Sequence, residues 1–247
     1  MTESTIGGAT DRAARAAMIS FVGSLADNKA ALGRRYGEWA ISAPTLESAV
    51  AAAAMAQDEL GHARSTYPVL KALGSELPDA DDADDAVSGG GRRLALLDAE
   101  LPDWTSAIAA NLLVDGVLTT FVAACVDSSV PPMAQRARKI LQEEGSHRIH
   151  AEAWAKRLSR SGERQVSLLV ARLHETWEQA GRWAGPDDDP RTVAALEAGM
   201  FCTAPSAQRA MVRDWLAALL SPEGVSIELP EPTDFSRWDA DTRRWEP

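Results

Sequence analysis

QDELGHAR at residues 57–64 and QEEGSHRIH at 142–150 each place a glutamate three residues before a histidine: Glu59 with His62, and Glu144 with His147. The chain has only four histidines. On an α-helix, positions i and i+3 lie nearly on one face, a turn apart. A carboxylate and an imidazole so placed can both reach one point beside the helix, and this mix of hard oxygen and borderline nitrogen suits iron or manganese. Two such helices facing each other begin a pair of metal sites.

Two divalent ions held close together repel, so a dinuclear site needs further carboxylates. In bundle proteins of this kind the two helices without a histidine supply them. Between Trp104 and Val126 the only charged residue is Asp115, set among Ile108, Leu112, Leu113, Val117, Leu118 and Phe121. A lone ionised carboxylate there is costly unless it is paired or bound to metal. On the first long helix Glu38, in RRYGEWA, is the candidate. The expected ligand set is therefore Glu38, Glu59, His62, Asp115, Glu144 and His147. Glu143 competes with Glu144, but only Glu144 has a histidine three residues on. His150 is expected to support the site from outside the ligand set, and His174 to be structural.

The surrounding pattern is all-α. Helical periodicity runs over 11–41, with Met18, Phe21, Val22, Leu25, Leu32 and Tyr36 on the apolar stripe. A second helix starts after Pro44 with Thr45 near its cap, and runs to about Leu73 with Gly74 as C-terminal cap. Residues 75–91 read as the longest loop, and helical pattern returns near Arg92. A long apolar helix then runs from Trp104 to about Asp127. Pro131 and Pro132 open a helix to about 159, and further helices are expected over 163–184, 191–201 and 205–220. Two long hairpins, each ending in Glu-x-x-His, have the shape of a four-helix bundle. The reading is one domain over 1–247, with the core bundle at about 11–160 and added helices and a tail over 161–247. Trp238 and Trp245 in that tail imply that it packs back on the body.

Composition narrows the function classes. The 247 residues are 45% hydrophobic and 25% charged, within the ordinary range for globular proteins. A net charge of −11 argues against nucleic acid as main partner. The acidic runs at 79–85 and 187–189 read as solvated loops. No continuous apolar run of membrane-spanning length is present, and the N-terminus lacks the pattern of a secretion signal. With two distant cysteines and no call for a disulfide, a cytoplasmic protein is expected.

LADNKAALGRRYGEWAISAPTLESAVAAAAMAQDELGHAR and NLLVDGVLTTFVAACVDSSVPPMAQRARKILQEEGSHRIHAEAWAKRL resemble subunits of the phenylacetyl-CoA epoxidase (phenylacetic acid catabolic) family, over about residues 20–185. The frame is most similar to the structural subunit, whereas the Glu-x-x-His pairs are complete, as in the catalytic one. The resemblance implies a ferritin-like bundle with two irons, manganese being an alternative. It implies a monooxygenase that inserts one oxygen atom into an organic substrate, in this family an aromatic or other acyl-CoA thioester. The chain has no cysteine cluster or dinucleotide motif, so electrons would come from a separate reductase. A homodimer or a hetero-oligomer with a related subunit is expected. A non-catalytic structural subunit and a rubrerythrin-like peroxidase or iron-binding protein are the alternatives. Lys29, Arg34, Arg35, Arg64 and Lys71 are the nearest basic residues for CoA, though each reads better as solvent-facing decoration; no substrate-binding residue is assigned.

Overall fold

The computed structural model describes residues 9–75 and 91–246. The acidic run at 79–85, most of the loop expected over 75–91 and the first eight residues lie outside the described residues. The architecture is an all-α, ferritin-like bundle. Helix α1 spans Ala9–Trp39 and α2 spans Leu46–Ala72. A long rod follows, made of α3 (Trp104–Ala110), a π-helical turn (Asn111–Asp115) and α4 (Gly116–Ala124). Helix α5 spans Pro131–Ser159. Outside this core lie α6 (Glu163–Ala180), α7 (Pro190–Glu197) and α8 (Pro205–Leu220). The tail forms a two-residue antiparallel pairing of β1 (Trp238–Asp239) with β2 (Arg244–Trp245).

Local chemistry sets these boundaries. The Thr45 side chain accepts a hydrogen bond from the Ser48 N–H and caps α2. Gly74, at φ +75°, closes the other end, where the Ser75 N–H donates to the Leu70 carbonyl. Asp103 caps α3 by accepting from the Ser106 N–H. Pro131 opens α5, as the sequence indicates. Near Arg92 the chain makes only a short 3₁₀ turn, Ala95–Leu97, in place of the expected helix. Asp27 on α1 accepts from the Arg92 N–H and guanidinium, and the Arg92 carbonyl accepts from Ser24 and Asn28. The backbone here is spent on α1 and is not free to wind into a helix.

The stripe Met18, Phe21, Val22, Leu25, Leu32 and Tyr36 is buried, as its spacing requires. Helices α1 and α2 pack along their length, and Gly33 lets them approach closely: a Cβ there would lie 2.9 Å from Leu60 Cγ and 3.1 Å from the Ala56 carbonyl oxygen. Contrary to the expectation from sequence, the segment Trp104–Ala124 is long and apolar enough to cross a membrane by length and composition. Its side chains instead form the middle of the bundle: Ile108, Leu112, Leu113, Leu118 and Phe121 are buried.

At one end of the bundle Phe21 stacks on Phe121 at 4.6 Å, with Trp183 and Phe201 edge-on. The tail does pack back on this body. Its Arg243 is fully buried, with the guanidinium 3.3 Å from the Phe21 ring centroid and donating to the Trp183 and Ala184 carbonyls. The acidic run at 187–189 is more than a solvated loop. Asp189 caps α7 by accepting from the Thr192 N–H, and Asp187 accepts from the Ser206 N–H. Cys125 is buried and Cys202 exposed, both as free thiols.

Candidate metal centre

Helices α2 and α5 carry their Glu-x-x-His pairs on facing sides, and Glu59, His62, Glu144 and His147 are all buried. The rod adds Asp115, also buried, at the end of its π-helical turn. A π turn inserts a residue into the helical register and is frequent at functional sites. Asn111 and Asp115 both face α1: Asn111 Nδ2 donates to the Tyr36 hydroxyl at 2.9 Å, and Asp115 meets Lys29.

The two histidines are held in mirrored fashion. His62 Nε2 pairs with Glu143 at 2.8 Å, and His147 Nε2 with Asp58 at 3.3 Å. Each clamp is the acid immediately preceding the glutamate of the opposite pair. With Nε2 engaged outward, both Nδ1 atoms turn inward. His62 Nδ1 lies 3.3 Å from Glu144, and His147 Nδ1 lies 3.3 Å from Glu59 and 3.4 Å from Asp115. Neither Nδ1 has a hydrogen-bond partner of good geometry, nor does Glu59 Oε2. One ligand atom each from Glu59, Asp115, Glu144 and His147 gathers within 4.8 Å, a buried set of donors able to hold a metal ion.

The first helix departs from expectation. Glu38 is not in this group. It is partly exposed and pairs with Arg35 at 3.1 Å. Residue 29 is the one on α1 that meets the cluster, and at 1.5 Å rise per residue Glu38 lies nine residues, roughly 13 Å, further along the axis. Lys29, read from sequence as solvent-facing, is fully buried. Its ammonium donates to Glu59 at 3.0 Å and to Asp115 and Glu144 at 2.5 Å. Burial alone would pull the Lys29 pKa down, but the three carboxylates outweigh it and hold it well above the ordinary lysine value.

The carboxylates divide. Burial opposes charge on all three, yet Lys29 holds Glu59 and Asp115 below their ordinary values. Burial and the neighbouring Asp115 leave Glu144 raised. Burial also opposes charge on the histidines, but the adjacent carboxylates of Glu144 and Glu59 push His62 up to about 9. The adjacent carboxylates of Asp115 and Glu59 push His147 up to about 11.

Of the six expected ligands, Glu59, Asp115, Glu144 and His147 form a group that could hold an ion, His62 stands beside Glu144, and Glu38 lies apart. Where the bundle pattern would put a fourth carboxylate stands a cation whose nitrogen touches one oxygen of each of the other three. At an effective dielectric of 20 a divalent ion about 4 Å from that ammonium would be repelled by roughly 8 kcal/mol, which offsets the attraction of one of the three carboxylates. With Lys29 in place the three carboxylates are already shared with a cation, so the four-carboxylate pattern of a dinuclear site is not met.

Other expected residues fall outside the cluster. His150 is half-buried, edge-on to Trp104 at 6.0 Å. His174 is exposed on α6, as are Arg64 and Lys71 on α2, while Arg34 and Arg35 are half-buried. Sequence reasoning missed Lys29, Asp58 and the clamping role of Glu143. Lys29 had a signal: 18, 22, 25, 29, 32 and 36 alternate in steps of four and three, so residue 29 stands on the apolar stripe. Glu38 falls off that stripe.

A cavity of about 410 Å³ opens beside the cluster between the rod, α5 and α8. Asp115 and Glu144 line its inner end together with Asn111, and Arg148, Met211 and Trp215 also line it. The Arg148 guanidinium lies 4.8 Å from the Trp215 ring centroid and donates to Glu152 at 2.8 Å.

Residues 2–247 match the family model described as phenylacetic acid catabolic protein. The chain is also 26% identical, over 193 residues, to one of the subunits of the 1,2-phenylacetyl-CoA epoxidase of Escherichia coli (strain K12). That match covers 72% of this chain and 77% of the relative. With its near-complete match to the model and its ferritin-like bundle around two Glu-x-x-His pairs, the chain belongs to the phenylacetic acid catabolic protein family, a family of di-iron type and oxidoreductase function.

Proposed function

We propose that this chain is a structural subunit of a multicomponent oxygenase. It assembles with a related subunit whose ligand set is complete, and that partner activates oxygen with electrons from a separate reductase. The substrate class is an aromatic or other acyl-CoA thioester, and the complex works in the cytoplasm. The observation that carries this reading is Lys29, which takes the place of the fourth carboxylate and pairs with the other three. A buried cluster balanced by a tethered cation holds the bundle together without exchangeable metal. That the Escherichia coli relative is itself one subunit of an epoxidase supports a hetero-oligomeric assembly.

The test is oxygen consumption. The isolated chain, supplied with ferrous iron, a chemical reductant and an aromatic acyl-CoA thioester, is expected to couple no oxygen uptake to product. Turnover is expected only after a related subunit with four carboxylates and two histidines is added.

A second reading makes this chain the oxygenase itself. The inward-facing Nδ1 atoms of His62 and His147 favour it, as does the cavity that reaches Asp115 and Glu144. Coupled oxygen uptake by the isolated chain would establish the second reading in place of the first.

A further inference from the structure

Helix α2, the rod and α5 bring three carboxylates and two imidazoles together in one buried cluster. The imidazoles are clamped from behind by Asp58 and Glu143, Asp115 is within reach, and the cavity gives ions a path to Asp115 and Glu144. We infer that residue 29 alone sets whether this bundle is held by a tethered ammonium or by a pair of divalent transition-metal ions. The ammonium of Lys29 is the bundle's resident cation, and it closes a latent metal site. This inference rests on the structural-subunit reading above.

Charge and reach both support it. Lys29 meets three carboxylates, all buried, and no other lysine or arginine pairs with them among the described residues. Replacing it by glutamate changes the local charge by two units and brings the carboxylates to four, which balance two divalent ions. A glutamate is also shorter than a lysine. Its carboxylate would end nearer α1 and leave the space now filled by the ammonium and the last methylene groups for ions. Apart from its chain neighbours and its own helix backbone, Gly145 has no described heavy atom within 4 Å of where its Cβ would stand, so the approach from the cavity is not crowded there.

The experiment uses the full chain, stripped with a chelator and titrated with Mn(II), in wild type, Lys29→Glu and Lys29→Gln. Three readouts are taken: bound metal by equilibrium dialysis, the electron paramagnetic resonance spectrum, and the melting temperature with and without metal. Wild type is expected to bind no Mn(II) specifically and to melt at one temperature regardless of metal or chelator. Lys29→Glu is expected to bind about two equivalents, as bundles with four carboxylates and two histidines do. It should show the spectrum of a coupled ion pair and melt higher with metal than with chelator.

Soluble, helical Lys29→Glu that binds no more Mn(II) than wild type overturns the inference and leaves the structural-subunit reading standing. Wild type that binds a coupled pair overturns that reading. If Lys29→Glu is insoluble without metal, recovery on refolding with Mn(II) supports the inference. If it fails to fold under both conditions, Lys29→Gln decides. That variant removes the cation without adding a ligand charge, so a gain of about one equivalent over wild type supports the inference, and no gain overturns it.

Discussion

Lys29 is held by three carboxylates on three different segments of the bundle. Removing one partner of a buried ion pair leaves charge uncompensated, at a cost of roughly 3–5 kcal/mol. Lys29→Met is therefore expected to lose at least that much in urea denaturation, even though Met fits the apolar stripe. The histidines add a pH dependence. His62 is raised to about 9 in the folded state, against an ordinary value of about 6.5. Its contribution is fully present below about pH 6.5 and is lost as pH rises through 9. The urea midpoint is expected to fall between pH 6.5 and 10, and His62→Gln to flatten that fall. At this scale the sequence was legible where chemistry and spacing agreed. Asp115 stood out as the one charge in an apolar run, and each Glu-x-x-His pair identified itself. Glu38 and Lys29 were exchanged because an acid was sought where the fold places a base. Periodicity pointed to residue 29, and residue type pointed to 38.

Between elements, the close approach of α1 to α2 governs how the site assembles, since these helices supply Lys29, Glu59 and His62. Gly33 permits that approach. A methyl group there meets a backbone carbonyl that cannot swing aside, so Gly33→Ala is expected to destabilise by roughly 1–3 kcal/mol, as overpacking does. Calorimetry checks this; an unchanged or raised melting temperature would show that the helices slide apart without penalty. Most element boundaries were legible because capping residues announce them: Thr45, Gly74, Asp103 and Pro131 each do their expected work. The 3₁₀ turn after Arg92 was not, because hydrogen bonds to Asp27, Ser24 and Asn28, more than sixty residues earlier, decide its shape. The π turn at Asn111–Asp115 was equally hidden, since it shifts the register of a helix by a single residue without any change in composition.

Across the whole molecule, the tail seals the bundle end that α1 opens. Arg243 sits over Phe21, between aromatic rings and carbonyl oxygens, with no carboxylate bonded to it among the described residues. Its charge is met by ring faces and backbone dipoles. Arg243→Ala removes charge-assisted bonds to two carbonyls and is expected to cost on the order of 3 kcal/mol. It should also expose the cluster of Phe21, Phe121, Trp183 and Phe201, read as a red shift in tryptophan emission before global unfolding. Emission and stability both unchanged would show that the tail is dispensable. That the tail packs back was legible from its two tryptophans; where it packs was not, because Gly185 and Arg243 make the contact through shape. A Cβ at Gly185 would lie 2.5 Å from Trp238.

The buried ammonium has a further consequence at the level of the gene. Lysine and glutamate codons differ only in their first base, and the change between them is a purine transition. The two ways of balancing this bundle, by a tethered amine or by captured ions, are therefore neighbours in mutational space, with no intermediate residue between them. A duplicated copy of such a gene can pass from one state to the other in a single event, with the rest of the cluster already in position to receive it.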